Sequence, residues 1–415
     1  MEQPSMRRAA VVLLMLFAGP AGAASKNMWM SQAEVLALPM SGIPWALVDS
    51  ISNLTHFGQK NSEEYPPDFK ALNNYHGVNI MAGALVWVRT GRAGLREKVR
   101  DHLKMAMYTF NDNGEFASAR TLEPARKIPA YVIAADLIDI KTFDPAFADS
   151  FDKWLDTLKT HRFNASNSLW TTMGATAEDK SHNWSAHALS SLTAIAIYRA
   201  NAVGIARCDS LFRALGDRNY FPRYSPWLAE NGRPQGYYFN ADTARIFFCN
   251  AIAGDSLPWL GIQREGCLKN ISGAFRNMDG SFDDVNREPS DTFPLDTACC
   301  QAMTYSIETM IGRSLTAELL YRAGYGAWDY NDQQLRRAAD FWFRAGKQQY
   351  PALPYSDAVT SKFHWKSITM LLNYRYGSDY VNDPTGVLGN LRIHRTHRLG
   401  WTDWTHARIS CVGSP

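Results

Sequence analysis

The chain has no G-x-x-x-x-G-K-[ST] phosphate loop and no G-x-G-x-x-G placed after a strand. It also lacks a G-x-S-x-G nucleophile elbow and an H-E-x-x-H helix. These absences disfavour P-loop nucleotide hydrolysis, dinucleotide chemistry, α/β-hydrolase chemistry and zincin chemistry. No long run of either charge occurs, and the net charge is only +3 over 415 residues. A dedicated nucleic-acid binder would cluster Lys and Arg, so no nucleic-acid partner is expected. Cysteines number six, none in a C-x-x-C and none beside a histidine pair, so a structural zinc site is disfavoured; no cofactor is expected, and the sequence leaves assistance by a divalent cation open. Their even count suits disulfides in an oxidising compartment, but spacing leaves the pairing open.

Beyond the N-terminus, no apolar run approaches the roughly 20 residues that a membrane span needs, so no span is expected. The N-terminus itself reads as a targeting signal. Arg7-Arg8 is a short basic stretch, Ala9 to Ala18 is apolar, and Ala21-Gly22-Ala23 has the small-x-small form of a cleavage site. The expectation is a signal peptide over 1–23, cleavage after Ala23, and a periplasmic or secreted protein over 24–415.

An apolar share of 46% and a charged share of 20% indicate a folded protein. Apolar residues recur at helical spacing over Asn79–Arg89, Leu95–Met107, Ile128–Ile138, Phe147–His161 and Trp184–Ala200. The pattern resumes over Ser306–Ala323, Asp332–Ala345 and Lys362–Tyr374. Gly91, Gly324 and Gly346 are placed as helix stops, and Pro129 fits a first turn. The stretch Asn219–Asn286, rich in aromatics, Gly and Pro, reads as irregular loops with shorter helices over a site. No strand-helix alternation and no linker divide the chain. The simplest packing is all-α: one domain of stacked helical hairpins curved into an (α/α) toroid, an incomplete barrel.

Several stretches could carry chemistry. In Glu178-Asp-Lys-Ser-His-Asn-Trp-Ser-Ala-His187, Asn183 and His187 stand four residues apart at a helix start, on one face. An amide can bind a carboxylate, and an imidazole can move a proton near neutral pH. A helix cap and a satisfied surface histidine would account for the pair equally well. Asn73-Asn74-Tyr75-His76-Gly77-Val78-Asn79 is rich in donors and acceptors before an apolar helix, and turn or N-cap chemistry also explains it. Arg126-Lys127 precede a very apolar segment; cations at a helix start oppose the macrodipole, which points to an anionic ligand. Asp279–Glu288 supplies Arg287, and the segment that follows supplies Tyr305, a candidate acid or base. The 13 tryptophans, Trp184 among them, suit stacking on sugar faces, although core packing uses the same residues.

These stretches, in this order, resemble the alginate-lyase superfamily of exported polysaccharide lyases, in the branch acting on alginate or glucuronan. The resemblance lies in Met30–Gly42, Val78–Gly91, Ala130–Ile138 after Arg126, Glu178–His187, Ala317–Tyr330 and Gly400–His406. It implies an (α/α) toroid with a groove for an anionic polysaccharide, and β-elimination at a 4-linked uronic acid. By the same resemblance Asn183 would bind the carboxylate and His187 would be a base or second neutraliser. Tyr305 would be the acid and a second candidate for the base, with Tyr237 and Tyr238 as rivals, and Arg287 would assist charge neutralisation. Asn74, His76, Asn79, Arg126, Trp184 and Tyr238 would line the groove. A two-carboxylate glycoside hydrolase and a non-catalytic carbohydrate binder are the other readings that the residues leave open.

Overall fold

The computed structural model describes residues 28–58, 75–112, 121–164, 170–179, 183–214, 268–271, 274–277, 301–340, 366–378 and 400–406. The helices are α1 (Gln32–Ala37), α2 (Gly42–Ser52), α3 (His76–Thr90), α4 (Leu95–Asp112), α5 (Leu122–Leu137), α6 (Ile140–Phe143) and α7 (Pro145–Thr160). Then come α8 (Met173–Asp179), α9 (Asn183–Tyr198), α10 (Ala202–Ala214), α11 (Gln301–Arg322), α12 (Tyr330–Asp340), α13 (Lys366–Tyr376) and α14 (Thr402–Thr405). Two antiparallel hairpins, β1 (Phe163–Asn164) with β2 (Trp170–Thr171) and β3 (Leu268–Ile271) with β4 (Ala274–Asn277), are the strands among the described residues. The all-α expectation holds. One part of it is corrected: the described piece of 219–286 is the β3–β4 ladder, not irregular loop or short helix.

Local chemistry accounts for the helix ends. Ser31 and Glu34 form a reciprocal capping box at α1. Asp144 accepts from the Phe147 amide and Pro145 opens α7. Gly91, at φ 66°, closes α3 in the left-handed region that a side chain would disfavour.

The helices sort into two kinds. In α3 every residue from His76 to Val86 is buried, α9 is buried nearly throughout, and α11 is buried from Glu308 to Leu320. Mostly small and apolar residues on all faces make α3 and α9 interior, whereas α11 also buries the charged Glu308, Arg313 and Glu318. By contrast, α7 buries only Phe147, Ala148, Phe151, Trp154, Leu155 and Leu158, a single stripe, and faces solvent elsewhere. The interior helices pack in sequence order: α3 on α5, α5 on α9, α9 on α11, α11 on α13. From α13 the packing continues to α14, from α14 to α2, and from α2 back to α3, which closes a circuit.

α5 departs from expectation in a way that matters for the site. It begins at Leu122, six residues before Ile128, so Pro129 lies inside the helix and not in its first turn. Proline there lacks the amide that would satisfy the Ala125 carbonyl. The Ser191 hydroxyl of α9 donates to that carbonyl at 2.7 Å instead. The longer helix also puts Arg126 and Lys127 in its second turn, so the argument from opposition to the macrodipole does not apply to them.

Of the cysteines, Cys208 is a buried free thiol, and burial pushes it up to about 11. The other five lie outside the described residues. Among the described residues no helix is long and apolar enough to cross a membrane.

Candidate active site

The site is built where α5, α9 and α11 meet. Gly312 of α11 packs against the backbone of Ala186 on α9 so tightly that a Cβ there would lie 2.6 Å from the Ala186 carbonyl carbon. This approach brings together two side chains next to the contact. His187 follows Ala186, and Glu308 lies one turn before Gly312. His187 Nε2 and Glu308 Oε2 are 3.0 Å apart, with both side chains 2% exposed. Arg126 of α5 reaches the same oxygen, its Nη2 at 3.3 Å, and keeps 13% of its side chain exposed. A carboxylate buried this deeply needs such partners, because an unpaired charge in the interior is costly.

Asn183 stands one helical turn before His187 and is fully buried; Trp184 beside it is half-buried. The Ser185 hydroxyl donates to the Ala177 carbonyl at 3.0 Å and ties the start of α9 to α8. The expected same-face pair is therefore present, set in the interior rather than on the surface.

A second polar cluster lies between α3, α4 and α5. His76 Nδ1 is 3.0 Å from the Tyr131 hydroxyl, and His76 Nε2 is 3.2 Å from His102 Nδ1. His76 is wholly enclosed; burial, then the fields of His102 and Lys127, hold it well below the usual imidazole range. Burial, then His56 and Lys98, bring His102 down to about 4 against a weak opposing pull from Asp101. Both rings are neutral at pH 7, so in each contact one of the two atoms donates and the other accepts. Asn79 Nδ2 donates to the Phe57 carbonyl at 2.5 Å. His76 and Asn79 thus make their contacts inside the fold. Helix α5 links the two clusters, with Arg126 turned to Glu308 and the adjacent Lys127 close enough to act on His76.

Asn74, Arg287, Tyr237 and Tyr238 lie outside the described residues. Tyr305 falls on α11, three residues before Glu308, and its side chain lies outside what is described. Sequence reasoning picked out Lys127 only together with Arg126, and it missed Glu308, His102 and Tyr131. The available signal for Glu308 was an acid inside a buried helix, which calls for a cation such as Arg126.

No family model and no curated protein matches the chain. Solved structures similar to it are of an alginate lyase. The apo form of a histidine-to-alanine variant of alginate lyase A1-III shares 14% identity over 93% of this chain and 94% of that one, with a TM-score of 0.49. The A1-III enzyme from Sphingomonas species A1 shares 12% identity over 93% of each chain at 0.48. The variant complexed with a tetrasaccharide shares 13%, again over 93% of each chain, at 0.48.

The arrangement combines an amide, an imidazole held on a carboxylate, and adjacent guanidinium and ammonium groups. Among these described residues, cations outnumber the single acid. Such a set favours an anionic ligand and can move a proton at it.

Proposed function

We propose that the chain is an exported polysaccharide lyase cleaving a 4-linked uronic-acid polysaccharide, of alginate or glucuronan type, by β-elimination. The observation that carries this reading is the α5–α9–α11 junction, where His187 and the half-buried Arg126 meet on buried Glu308, with buried Asn183 one helical turn before His187. A C5 proton beside a carboxylate becomes acidic only when that carboxylate is neutralised, because charge then develops as an enolate. In this reading Asn183 binds the uronate carboxylate, helped by Arg287 and by the field of Arg126 and Lys127. His187 takes the C5 proton and Tyr305 protonates the departing oxygen. Asn74, Trp184 and Tyr238 line the groove, with His76 and Asn79 supporting its floor. The closed circuit of helices is the arrangement that a toroid has, with the site in its interior layer. The basic, apolar and small-residue order of 1–23 supports export.

The test is incubation with alginate, glucuronan and related uronans, following ultraviolet absorbance from the new double bond. Absorbance that rises with chain cleavage supports the reading. New reducing ends without absorbance would mean hydrolysis and sink it; binding without turnover would point to a carbohydrate-binding protein.

A further inference from the structure

The His187–Glu308 contact carries an inference about how the proposed base is prepared, and it rests on the reading above. An imidazole is useful as a base only if the nitrogen facing the substrate holds the lone pair, and a hydrogen bond at the other nitrogen decides which one that is. Here Nε2 is turned to a carboxylate oxygen at 3.0 Å, and each of the two side chains keeps 2% of its surface exposed. Arg126 of α5 stands on that same oxygen at 3.3 Å and supplies its countercharge. A carboxylate so paired accepts, so Nε2 is the nitrogen that donates. We propose that Glu308 is a positioning residue, which holds the Nε2–H tautomer of His187 so that Nδ1 receives the C5 proton of the uronic acid.

The electron and proton balance follows. The C5–H bond breaks and the proton goes to Nδ1. The electron pair forms the C4–C5 double bond as the C4–O bond breaks, and the Tyr305 hydroxyl protonates the leaving oxygen. His187 becomes an imidazolium held against Glu308, whose negative charge stabilises it. The logic is that of an acid orienting the histidine of a hydrolase triad, where the acid stays ionised and fixes the tautomer. The close approach at Gly312 and Ala186 puts the acid within reach, so this role is specific to where α11 crosses α9.

Two measurements test it. In protein labelled with 15N-histidine, the His187 ring is assigned by its loss in His187→Ala. The expected spectrum shows a protonated Nε2, slow to exchange with water, and an unprotonated Nδ1; a proton on Nδ1 overturns the proposal. Glu308→Gln keeps the shape and an acceptor oxygen but removes the charge. It is expected to lower kcat on the order of 100-fold with KM within about twofold, and Glu308→Asp is expected to regain part of the loss. Wild-type kcat in a folded Glu308→Gln, judged by near-ultraviolet circular dichroism, overturns the proposal. If Glu308→Gln does not fold, the wild-type ring spectrum decides alone. If no uronan is cleaved even by wild type, the proposed function fails, and the ring spectrum still reports on Glu308.

Discussion

Replacing His187 by alanine removes an imidazole whose neighbour Glu308 then keeps only Arg126 from the observed pair. Under the proposed chemistry kcat on a cleaved uronan falls on the order of 100-fold or more, since positioned proton transfer contributes about that much. Asn183→Ala removes the amide one turn away and lowers kcat comparably, because the carboxylate is then less well neutralised when charge develops. Steady-state rates from double-bond absorbance check both, and full turnover in either variant would dismiss that residue from the site. The His76–His102 pair calls for a different measurement. Both imidazoles are held below their unfolded value, so the unfolded chain binds more protons once pH drops below about 6.5. Stability therefore declines as pH falls through that value, and the His102 share stops growing near 4. Urea midpoints at pH 7 and pH 5 should differ for this reason, with a contribution of up to about 3 kcal/mol from His102 once pH reaches its folded value. His102→Asn keeps an acceptor near the Nδ1 position and should make the pH dependence shallower. An unchanged slope would show that His102 is protonated in the folded protein.

At the scale of elements, the crossing of α9 and α11 is held open by one missing Cβ. Gly312→Ala would set a methyl group 2.6 Å from the Ala186 carbonyl carbon, in backbone that cannot rotate aside. The expected cost is about 1–3 kcal/mol, read as a lower thermal midpoint. Activity should fall further than stability does, because the shift that relieves the clash draws Glu308 away from His187. A variant that loses stability but keeps full kcat would separate the crossing from the site. Helix α5 shows what can and cannot be read from sequence. Periodicity located α3, α4, α7 and α9 to within a few residues, since their apolar spacing is local. It started α5 six residues late because Pro129 is normally a helix opener. The proline is tolerated inside the helix through a serine 66 positions beyond Ala125, whose carbonyl it serves, and no local pattern encodes that bond. The site divides in the same way. Asn183 and His187 were legible as a same-face pair, whereas Glu308 lies 121 positions from His187 and joins it only through the helix crossing.

Across the whole molecule, closure of the helical circuit brings described segments of early and late sequence together on α11. Glu318 is fully buried and takes Arg322 Nε at 2.9 Å, Arg375 Nε at 2.7 Å and the Trp328 indole at 3.2 Å. Arg322 also pairs with Glu34 of α1 at 2.6 Å, and His406 stands 3.7 Å from the Glu318 carboxylate. Trp401 donates to the Val78 carbonyl of α3 at 2.8 Å, and Trp404 packs its ring on Trp45 of α2. Three of the stretches that carried the family resemblance, Met30–Gly42, Ala317–Tyr330 and Gly400–His406, therefore meet at a structural lock, not at the site. Burial alone would raise the Glu318 carboxyl, but His406 and Arg375 overcome it and hold the group well below the usual carboxylate range. Its stabilising share is complete above the unfolded value of about 4.5 and is lost as pH falls below it, in the same direction as the histidine pair. Glu318→Ala leaves two half-buried guanidinium groups without this partner and should cost about 1–3 kcal/mol. Glu318→Gln, which keeps the volume and an acceptor oxygen, should cost less and should remove part of the acid sensitivity below about pH 4.5. Because the lock lies away from Glu308 and His187, folded Glu318→Gln should turn over uronan at wild-type kcat below its melting temperature. A loss of kcat without loss of fold would place the lock inside the catalytic machinery.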